Sequence, residues 1–403
     1  MTLGQLFPWI SLGLAVVVVA LAGLVRGRPF VFFVGVLLTV HTLVSVALAP
    51  ALEVAVPAEV ARWLLPVVAY FQAAVYLNLA MLARPRLRPA WYRVLVSYPG
   101  AFFLAGTFLA IPWAIVRACG GTPYGFFVPY VVAALGFAQS LARRREEIDI
   151  TLDQVPVPSL RRADPRGAKI DRPLRVVQIT DPHLGPFMSE ARLRGFVERA
   201  VAADPDLVFL TGDFLTMESH GARASLTRAF EPLRALEGRV FACRGNHDHE
   251  APETVRGALE DVGASLLVDE ATVVDTPAGR VQIVGIDFHF RDRATKTRDA
   301  CASNPRIPGA LRLVLLHDPG AFKHVPDGDA DLVFSGHTHG GQLGLVSLGL
   351  AHTFVSAFTK IPDHGFWALG KNRLYVHRGT GHYGFPLRVG VPAEESVVAI
   401  HAA

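Results

Sequence analysis

The stretch VFSGHTHGGQ, residues Val333–Gln342, places two histidines one residue apart at the end of a short apolar run. A short apolar run that stops at a glycine is typical of a buried strand followed by a tight turn. Such a strand would direct two imidazoles toward one place, and imidazole is a common metal ligand. The stretch raises the question of whether other strands of the chain end in side chains of the same kind.

Four other short apolar runs do end in such residues. From Leu174 onward, β-branched runs alternate with helical patterns, which predicts an α/β core with strands covered on both faces. The helix after the first run is predicted to have Ser189 as its N-cap. The runs are LRVVQIT before Asp181 and His183, DLVFLT before Gly212 and Asp213, RVFACR before Asn246, His247 and Asp248, and LRLVLL before His317.

These side chains are carboxylates, imidazoles and an amide, which suit divalent Mn, Fe, Zn or Co. Each motif alone is explained by an ordinary turn, but five strands that all end this way favour one shared site at their carboxyl ends. Seven candidates exceed the three or four ligands that one catalytic metal takes, so we predict two ions with a bridging carboxylate. The predicted ligands are Asp181, His183, Asp213, Asn246, His317, His337 and His339.

Together these motifs resemble the signature of the calcineurin-like metallophosphoesterase superfamily. The form GHTHGGQ, followed by LYVHRGTGHYGFPLRVGVPAEE, is similar to its membrane-associated bacterial branch, and the resemblance covers about residues 173–400. It implies an α/β four-layer (αββα) sandwich with a dinuclear site at one edge. It also implies that one ion is bound by Asp181, His183 and His339, the other by Asn246, His317 and His337, and that Asp213 bridges both.

The resemblance also implies roles beside the metals. His247 would contact the substrate phosphate and stabilise or protonate the leaving oxygen, and we expect Asp248 to orient a neighbouring imidazole. Gln342 and Arg378 are predicted to contact phosphoryl oxygens. Protein phosphatases of the superfamily follow Gly-Asp with acidic and arginine residues, including an aspartate partner for the catalytic histidine. This chain has Phe-Leu-Thr there, which favours diesters or pyrophosphates as substrates.

The sequence therefore predicts a membrane-anchored dinuclear-metal phosphohydrolase that cleaves phosphodiester or phosphoric anhydride bonds, with manganese among the expected metals. A narrower alternative is a pyrophosphatase acting on a lipid-linked nucleotide such as UDP-diacylglucosamine. An alternative of another class is a catalytically silent, metal-dependent sensor or scaffold. A transport function for the membrane part is less favoured, because the predicted spans contain no Asp, Glu, Lys or Arg.

The first part of the chain is apolar and basic. Residues 1–150 hold eleven arginines, no lysine and five acids, whereas residues 151–403 hold 28 basic and 30 acidic residues. Because the basic excess lies beside apolar segments, it argues against nucleic acid as a partner and for a lipid bilayer. Five uncharged stretches of about 19 to 23 residues are each predicted to cross a bilayer: Phe7–Val25, Phe30–Leu52, Trp63–Ala83, Val94–Val116 and Gly120–Ala142.

Arginines are distributed unevenly over the loops between these stretches, with nine on one side and two on the other. Because positively charged loops stay inside, we expect a multi-pass protein of the cell (inner) membrane with a cytoplasmic catalytic domain. The predicted organisation is a transmembrane domain over residues 1–145, a polar, proline-containing linker over 146–172 and a metallophosphoesterase domain over 173–403. No sequence feature specifies the oligomeric state.

Overall fold

The structure, a computed structural model, describes residues 3–153, 155–382, 384 and 387–402. The chain divides into two compact units, residues 1–138 with 384–387, and residues 139–383 with 388–403. A π-helical turn at Arg93–Ser97 lies between the fourth and fifth helices. The helices up to residue 141 are α1 (Leu3–Val25), α2 (Arg28–Ala55), α3 (Ala58–Met81), α4 (Ala90–Tyr92), α5 (Tyr98–Leu109), α6 (Ile111–Ala118) and α7 (Val128–Leu141).

Three of these helices, α1, α2 and α3, are long and apolar enough to cross a bilayer. The predicted fourth span is bent by 53° between α5 and α6, where Pro112 cannot donate a backbone hydrogen bond. The predicted fifth span contains only α7, whose 14 residues extend about 21 Å, short of a hydrocarbon core of about 30 Å. The described residues thus contain three candidate spans, or four if the bent pair is one span, so the predicted count of five is not confirmed.

The second unit is built from strands and short helices. Its helices are α8 (Glu190–Ala202), α9 (Arg223–Phe230), α10 (Pro252–Asp261), α11 (Arg293–Ser303) and α12 (Phe354–Phe358). The strands are β1 (Arg143–Leu152), β2 (Val157–Arg162), β3 (Leu174–Ile179), β4 (Leu207–Leu210), β5 (Val240–Ala242), β6 (Ser265–Leu266), β7 (Glu270–Thr276), β8 (Gly279–Ile286), β9 (Leu311–Leu316), β10 (Leu332–Ser335), β11 (Gly365–Gly370), β12 (Asn372–Val376) and β13 (Ala393–Ala402).

These strands form two mixed sheets that pack face to face. One has the order β1-β13-β3-β4-β5-β6 and the other β2-β11-β12-β10-β9-β8-β7. Alternation along β4 builds the layers, because Leu207 and Phe209 face the second sheet while Val208 and Leu210 face the helices. The Phe209 ring lies 5.0 Å from the Phe334 ring of β10, between the sheets. Helices cover both outer faces, so the α/β layered fold expected from the sequence is confirmed.

The helix predicted after the first strand is α8. Its N-cap is Ser189, whose hydroxyl accepts a hydrogen bond from the Arg192 N–H at 3.2 Å. The side chains of Leu193, Phe196 and Val197 are buried against the first sheet. The helical periodicity and the cap expected from the sequence are both confirmed.

Residues 146–172, interpreted from the sequence as a linker, contain most of β1 and all of β2. β1 pairs in parallel with β13 from Arg143–Ala393 to Leu152–Ala402, and β2 pairs with β11. Ile150 and Leu152 of β1 are buried in the core between the sheets. Both strands lie at sheet edges, where polar residues are common. Their amino-acid composition is therefore similar to that of a linker. We propose that the catalytic domain begins near Gln139 rather than at residue 173.

Candidate metal centre

The predicted ligands converge where five parallel strands end. β3, β4 and β5 are parallel neighbours in the first sheet, and β9 and β10 are parallel neighbours in the second. Their carboxyl ends meet at one edge of the sandwich, which is where open α/β sheets bind ligands. The residues delivered are Asp181 and His183 after β3, Asp213 after β4, Asn246 after β5, His317 after β9, and His337 and His339 after β10.

The loops that carry these side chains have unusual backbone conformations. Five of the seven predicted ligands have left-handed φ angles between 47° and 70°, which side-chain-bearing residues seldom adopt. Such strained residues cluster at functional sites because only a surrounding structure that fixes them tolerates their cost. The five are Asp181, His183, Asp213, His337 and His339.

A first cluster consists of Asp181, His183 and His339, all buried. His183 Nε2 lies 3.2 Å from His339 Nε2, and His339 Nε2 lies 3.3 Å from Asp181 Oδ1. Burial lowers the pKa of His183 to about 3, so its imidazole is neutral, as a metal ligand must be. Two imidazoles and a carboxylate therefore point at one small volume.

A second cluster consists of Asp213, His317 and His337. His317 Nδ1 donates to the Thr211 carbonyl at 2.6 Å, which turns its Nε2 toward Asp213 Oδ2 at 3.2 Å. Burial lowers the pKa of His317, but the charges of Asp213 and Asp181 outweigh it and raise that pKa to about 10. The carboxylates thus make this place attractive to positive charge.

Asp213 lies between the two clusters. Its Oδ2 is 3.7 Å from His183 Nε2 of the first cluster and 3.2 Å from His317 Nε2 of the second. Its Oδ1 accepts a hydrogen bond from the backbone N–H of His247 at 2.9 Å. One oxygen is therefore fixed by the protein while the other faces ligands of both clusters.

Two buried atoms at the centre favour metal ions over a purely structural role. Asn246 Oδ1 and His317 Nε2 are buried and have no hydrogen-bond partner among the described residues. The contact of His317 Nε2 with Asp213 lacks hydrogen-bond geometry, so its proximity does not satisfy that nitrogen. A buried polar atom without a partner is costly unless something else binds it. An amide oxygen and an imidazole nitrogen are donors that a borderline divalent ion takes.

Asp248 does not have the position that the sequence suggested. Its carboxylate accepts backbone hydrogen bonds from Gly245 and Asp213 at 2.7 Å and from Phe214 at 2.9 Å. Burial, together with the charge of Asp213, raises its pKa to about 7. Asp248 therefore joins the loops after β4 and β5, and the interpretation of it as a partner for an imidazole is replaced by this one.

The carboxylate that orients His247 is Glu250, which the sequence reading missed. His247 Nδ1 lies 2.9 Å from Glu250 Oε1, and Glu250 Oε2 lies 3.4 Å from His220 Nε2. Burial lowers the pKa of His247, but the Glu250 and Asp213 carboxylates raise it by more. Both residues lie on the 3₁₀ turn His247–Glu250. The sequence feature that could have identified Glu250 is therefore its spacing of one helical turn from His247. The partner expected after the Gly-Asp motif is thus supplied by another residue.

The two predicted substrate contacts differ. Gln342 lies on the loop after His339 and has a left-handed φ of 57°, and its buried Oε1 has no hydrogen-bond partner among the described residues. Arg378 is buried and forms ion pairs with Glu394, at 3.1 Å, and with Glu146. Its guanidinium is thus a structural cation, which does not support the predicted phosphate contact. Arg388, also missed, is fully buried, and its Nη2 lies 3.3 Å from His339 Nδ1.

Beside the second cluster lies a wall formed by the loop after β8. The Phe288 ring is 5.7 Å from the His337 ring and 6.2 Å from the His317 ring. Asp287 forms an ion pair with Arg244 at 2.6 Å and contacts His249 Nε2 at 3.1 Å. The wall thus presents an aromatic ring next to the centre, held by a polar cluster behind it.

Comparison with known proteins matches this unit to a family described as Calcineurin-like phosphoesterase, over residues 174–341. The chain is similar to Phosphodiesterase YaeI of Escherichia coli, with 29% identity over 220 residues, 53% of this chain and 78% of that protein. It is 28% identical over 260 residues to UDP-2,3-diacylglucosamine pyrophosphatase LpxG of Chlamydia muridarum, and the match covers 52% of this chain and 78% of that protein. It is 30% identical over 198 residues to metallophosphoesterase YkoQ of Bacillus subtilis, covering 46% and 68%.

Proposed function

We propose, on the premise that the chain belongs to the calcineurin-like phosphoesterase family and is a metal-dependent phosphoester hydrolase, that it cleaves phosphodiester or phosphoric anhydride bonds while anchored in a membrane. The observation that carries the proposal is the place of Asp213, whose Oδ2 faces histidines of both clusters. A carboxylate in that place is what a pair of ions needs in order to share a ligand.

The residues fit two divalent ions. Asp181, His183 and His339 would hold one ion, Asn246, His317 and His337 the other, and Asp213 would bridge them. When bound, such ions supply positive charge for the phosphoryl oxygens and lower the pKa of a nearby water molecule. The donor set suits Mn, Fe, Zn or Co and does not distinguish among them.

His247 would act on the leaving group. Its ring lies 5.5 Å from the ring of His183, so it stands at the border of the first cluster. Because Nδ1 is held by Glu250, the proton for the leaving oxygen would come from Nε2. The Glu250 and Asp213 carboxylates raise the pKa of His247, which favours the imidazolium form that a general acid requires.

The substrate class follows from the wall and the relatives. The Phe288 ring beside the centre suits an organic group on the phosphate, and a phosphodiester, or a pyrophosphate esterified at both ends, carries two such groups. A pyrophosphatase acting on a lipid-linked nucleotide is the second candidate, supported by the similarity to LpxG and by the apolar helices. The similarity to a phosphodiesterase and a pyrophosphatase supports hydrolysis over a silent sensor.

The test uses the purified full chain in detergent with Mn supplied. We expect hydrolysis of bis-p-nitrophenyl phosphate, and of UDP-2,3-diacylglucosamine if the second candidate is right, with little action on phosphoserine peptides. Bound metal should be measured on the same sample. Absence of turnover on mono-, di- and pyrophosphate esters, with two metals bound, would exclude the proposal and favour a sensor.

A further inference from the structure

Six large apolar side chains are exposed within residues 345–361, which we call the apolar segment. Among described residues from 143 onward, only Val155, Ile170, Val273 and Phe290 are other exposed large hydrophobic residues. Leu348 and Phe358 each have 74% of their surface exposed. An exposed apolar cluster of this kind marks a surface that contacts something apolar. The six are Leu345, Leu348, Leu350, Phe354, Phe358 and Ile361.

Buried polar side chains, Thr353 and Asp363, hold the apolar segment in place. Thr353 is buried, and its hydroxyl donates to Asp363, whose carboxylate also pairs with Arg162 Nη2 at 2.5 Å. Thr353 also caps α12 reciprocally with Ser356. The segment is thus held in a defined conformation while its six large apolar side chains stay exposed, which is unusual for a loop that faces only water.

Charge is nearly absent from the segment. No acidic residue occurs between Asp331 and Asp363, and Lys360 is the only lysine or arginine there. Lipid headgroup surfaces are commonly anionic and repel carboxylates, whereas a lysine beside apolar side chains is favourable at such a surface. The composition therefore fits a lipid interface.

The segment also contacts the place where the chain leaves its apolar helices. Gln139, which begins the second unit and lies near the end of α7, donates from Nε2 to Ser347 Oγ at 3.2 Å. Its Oε1 accepts from the backbone N–H of Gly390 at 2.7 Å. Because Gln139 directly follows residue 138 of the first unit along the chain, the apolar segment is held at the residue where the second unit begins.

We propose that the apolar segment lies in the interfacial region of the bilayer in which the chain is anchored, with Leu348 and Phe358 inserted among the lipids. The segment begins three residues after Gln342 and is tied to the centre, because the Thr338 hydroxyl, between His337 and His339, donates to the Asp363 carbonyl at 2.6 Å. The lipid surface thus lies beside the metal centre. Only the corollary that substrates arrive from the membrane rests on the proposed hydrolysis.

The experiment places a reporter on the segment in the full chain. Leu348→Cys and, separately, Phe358→Cys are made with Cys119→Ser, since Cys243 and Cys301 are buried. Val273→Cys is the matched control, since Val273 is an exposed apolar residue outside the segment. Each protein is labelled with a polarity-sensitive fluorophore and reconstituted in vesicles of phosphatidylethanolamine and phosphatidylglycerol. Quenching is then measured with acyl-chain nitroxide lipid and, separately, with aqueous iodide.

We expect lipid nitroxide to quench positions 348 and 358 several-fold more strongly than position 273, and iodide to show the opposite order. Iodide quenching of 348 and 358 equal to that of 273 would overturn the proposal. Protection of both positions from both quenchers would overturn it in favour of a second copy of the chain on this surface. The readout requires no hydrolysis, so its failure and the failure of the proposed function are distinguishable.

Discussion

The left-handed backbone at Asp181, Asp213 and His337 links chemistry to conformation at single residues. Each such residue costs about 1–3 kcal/mol, and the surrounding structure must compensate for that cost. Here Asp248 supplies part of the compensation, because it accepts the N–H groups of Asp213, Phe214 and Gly245. The ligands are thus held in place by the protein before any ion binds.

Replacing Asp213 tests whether the two ions share a ligand. Asp213→Asn removes the charge whose Oδ2 faces both clusters, so both metal equivalents should fall together rather than one alone. Elemental analysis of the purified protein measures this, with Asp275→Asn, a change at an exposed carboxylate, as control. Loss of a single equivalent would show that Asp213 serves one ion only.

A change at His247 separates proton transfer from metal binding. His247→Ala should keep the metal content and lower the hydrolysis rate about 10²–10⁴-fold, the usual effect of removing a general acid. Glu250→Gln should give a smaller loss, since it retains a hydrogen-bonding group beside Nδ1 but removes the charge. The rate is measured as diester hydrolysis and the metal content by elemental analysis of the same samples, with His324→Ala as control. Loss of metal in His247→Ala would instead make that residue a ligand.

The sequence predicted the position of a site residue where the residues just before it along the chain form a recognisable strand. Asp181, Asp213 and His337 each follow an apolar strand, so their convergence could be predicted. Arg378 follows a strand too, but its partners Glu394 and Glu146 are distant in sequence and only the fold reveals them. The orientation of a buried cation is therefore a tertiary property.

At the scale of elements, β1 is the clearest case of a strand that its own sequence does not predict. Periodicity identified α8 because one helix face alone carries its buried residues. β1 is an edge strand whose first residues are charged and exposed, and its burial comes from pairing with β13 at the other end of the domain. A pairing across some 250 residues leaves no periodic mark in either partner alone.

Shortening the chain tests the importance of β1 and β2. A fragment that begins at residue 173 lacks Ile150 and Leu152, whose burial stabilises by about 3–6 kcal/mol together. Its Tm should be roughly 10 °C below that of a fragment beginning at residue 139, or it should fail to fold. Thermal unfolding of both fragments measures the difference. Equal Tm values would restore residues 146–172 to the role of a linker.

At the scale of the whole molecule, the number of crossings decides which side the catalytic unit occupies. Three crossings, with the bent pair α5–α6 returning to its side of entry, place the unit on the side of the arginine-rich loops, and so do five. Four crossings place it on the opposite side. The sequence predicted span existence from apolar length, but the bend at Pro112 and the short α7 depend on local helix geometry.

We expect the catalytic unit to be cytoplasmic, because nine arginines against two mark that side. A reporter active only in the cytoplasm, fused after residue 403, should be active, and one active only outside should be silent. The same pair fused after Pro57, in the loop between α2 and α3, should give the reverse result. Identical results at both positions would show that the number of crossings between them is even and would contradict the orientation.

The turn from Asn246 to Glu250 contains the amide of a proposed metal ligand, the proposed proton donor, the carboxylate that joins the loops after β4 and β5, and the carboxylate that orients the proposed donor. Residues within this single turn of backbone thus have four separate functions. A substitution that shifts this turn would alter ion affinity, proton delivery and loop stability at the same time. A substitution meant to change substrate preference alone is therefore better placed outside this turn, for instance at Phe288, whose ring lies beside the His337 ring.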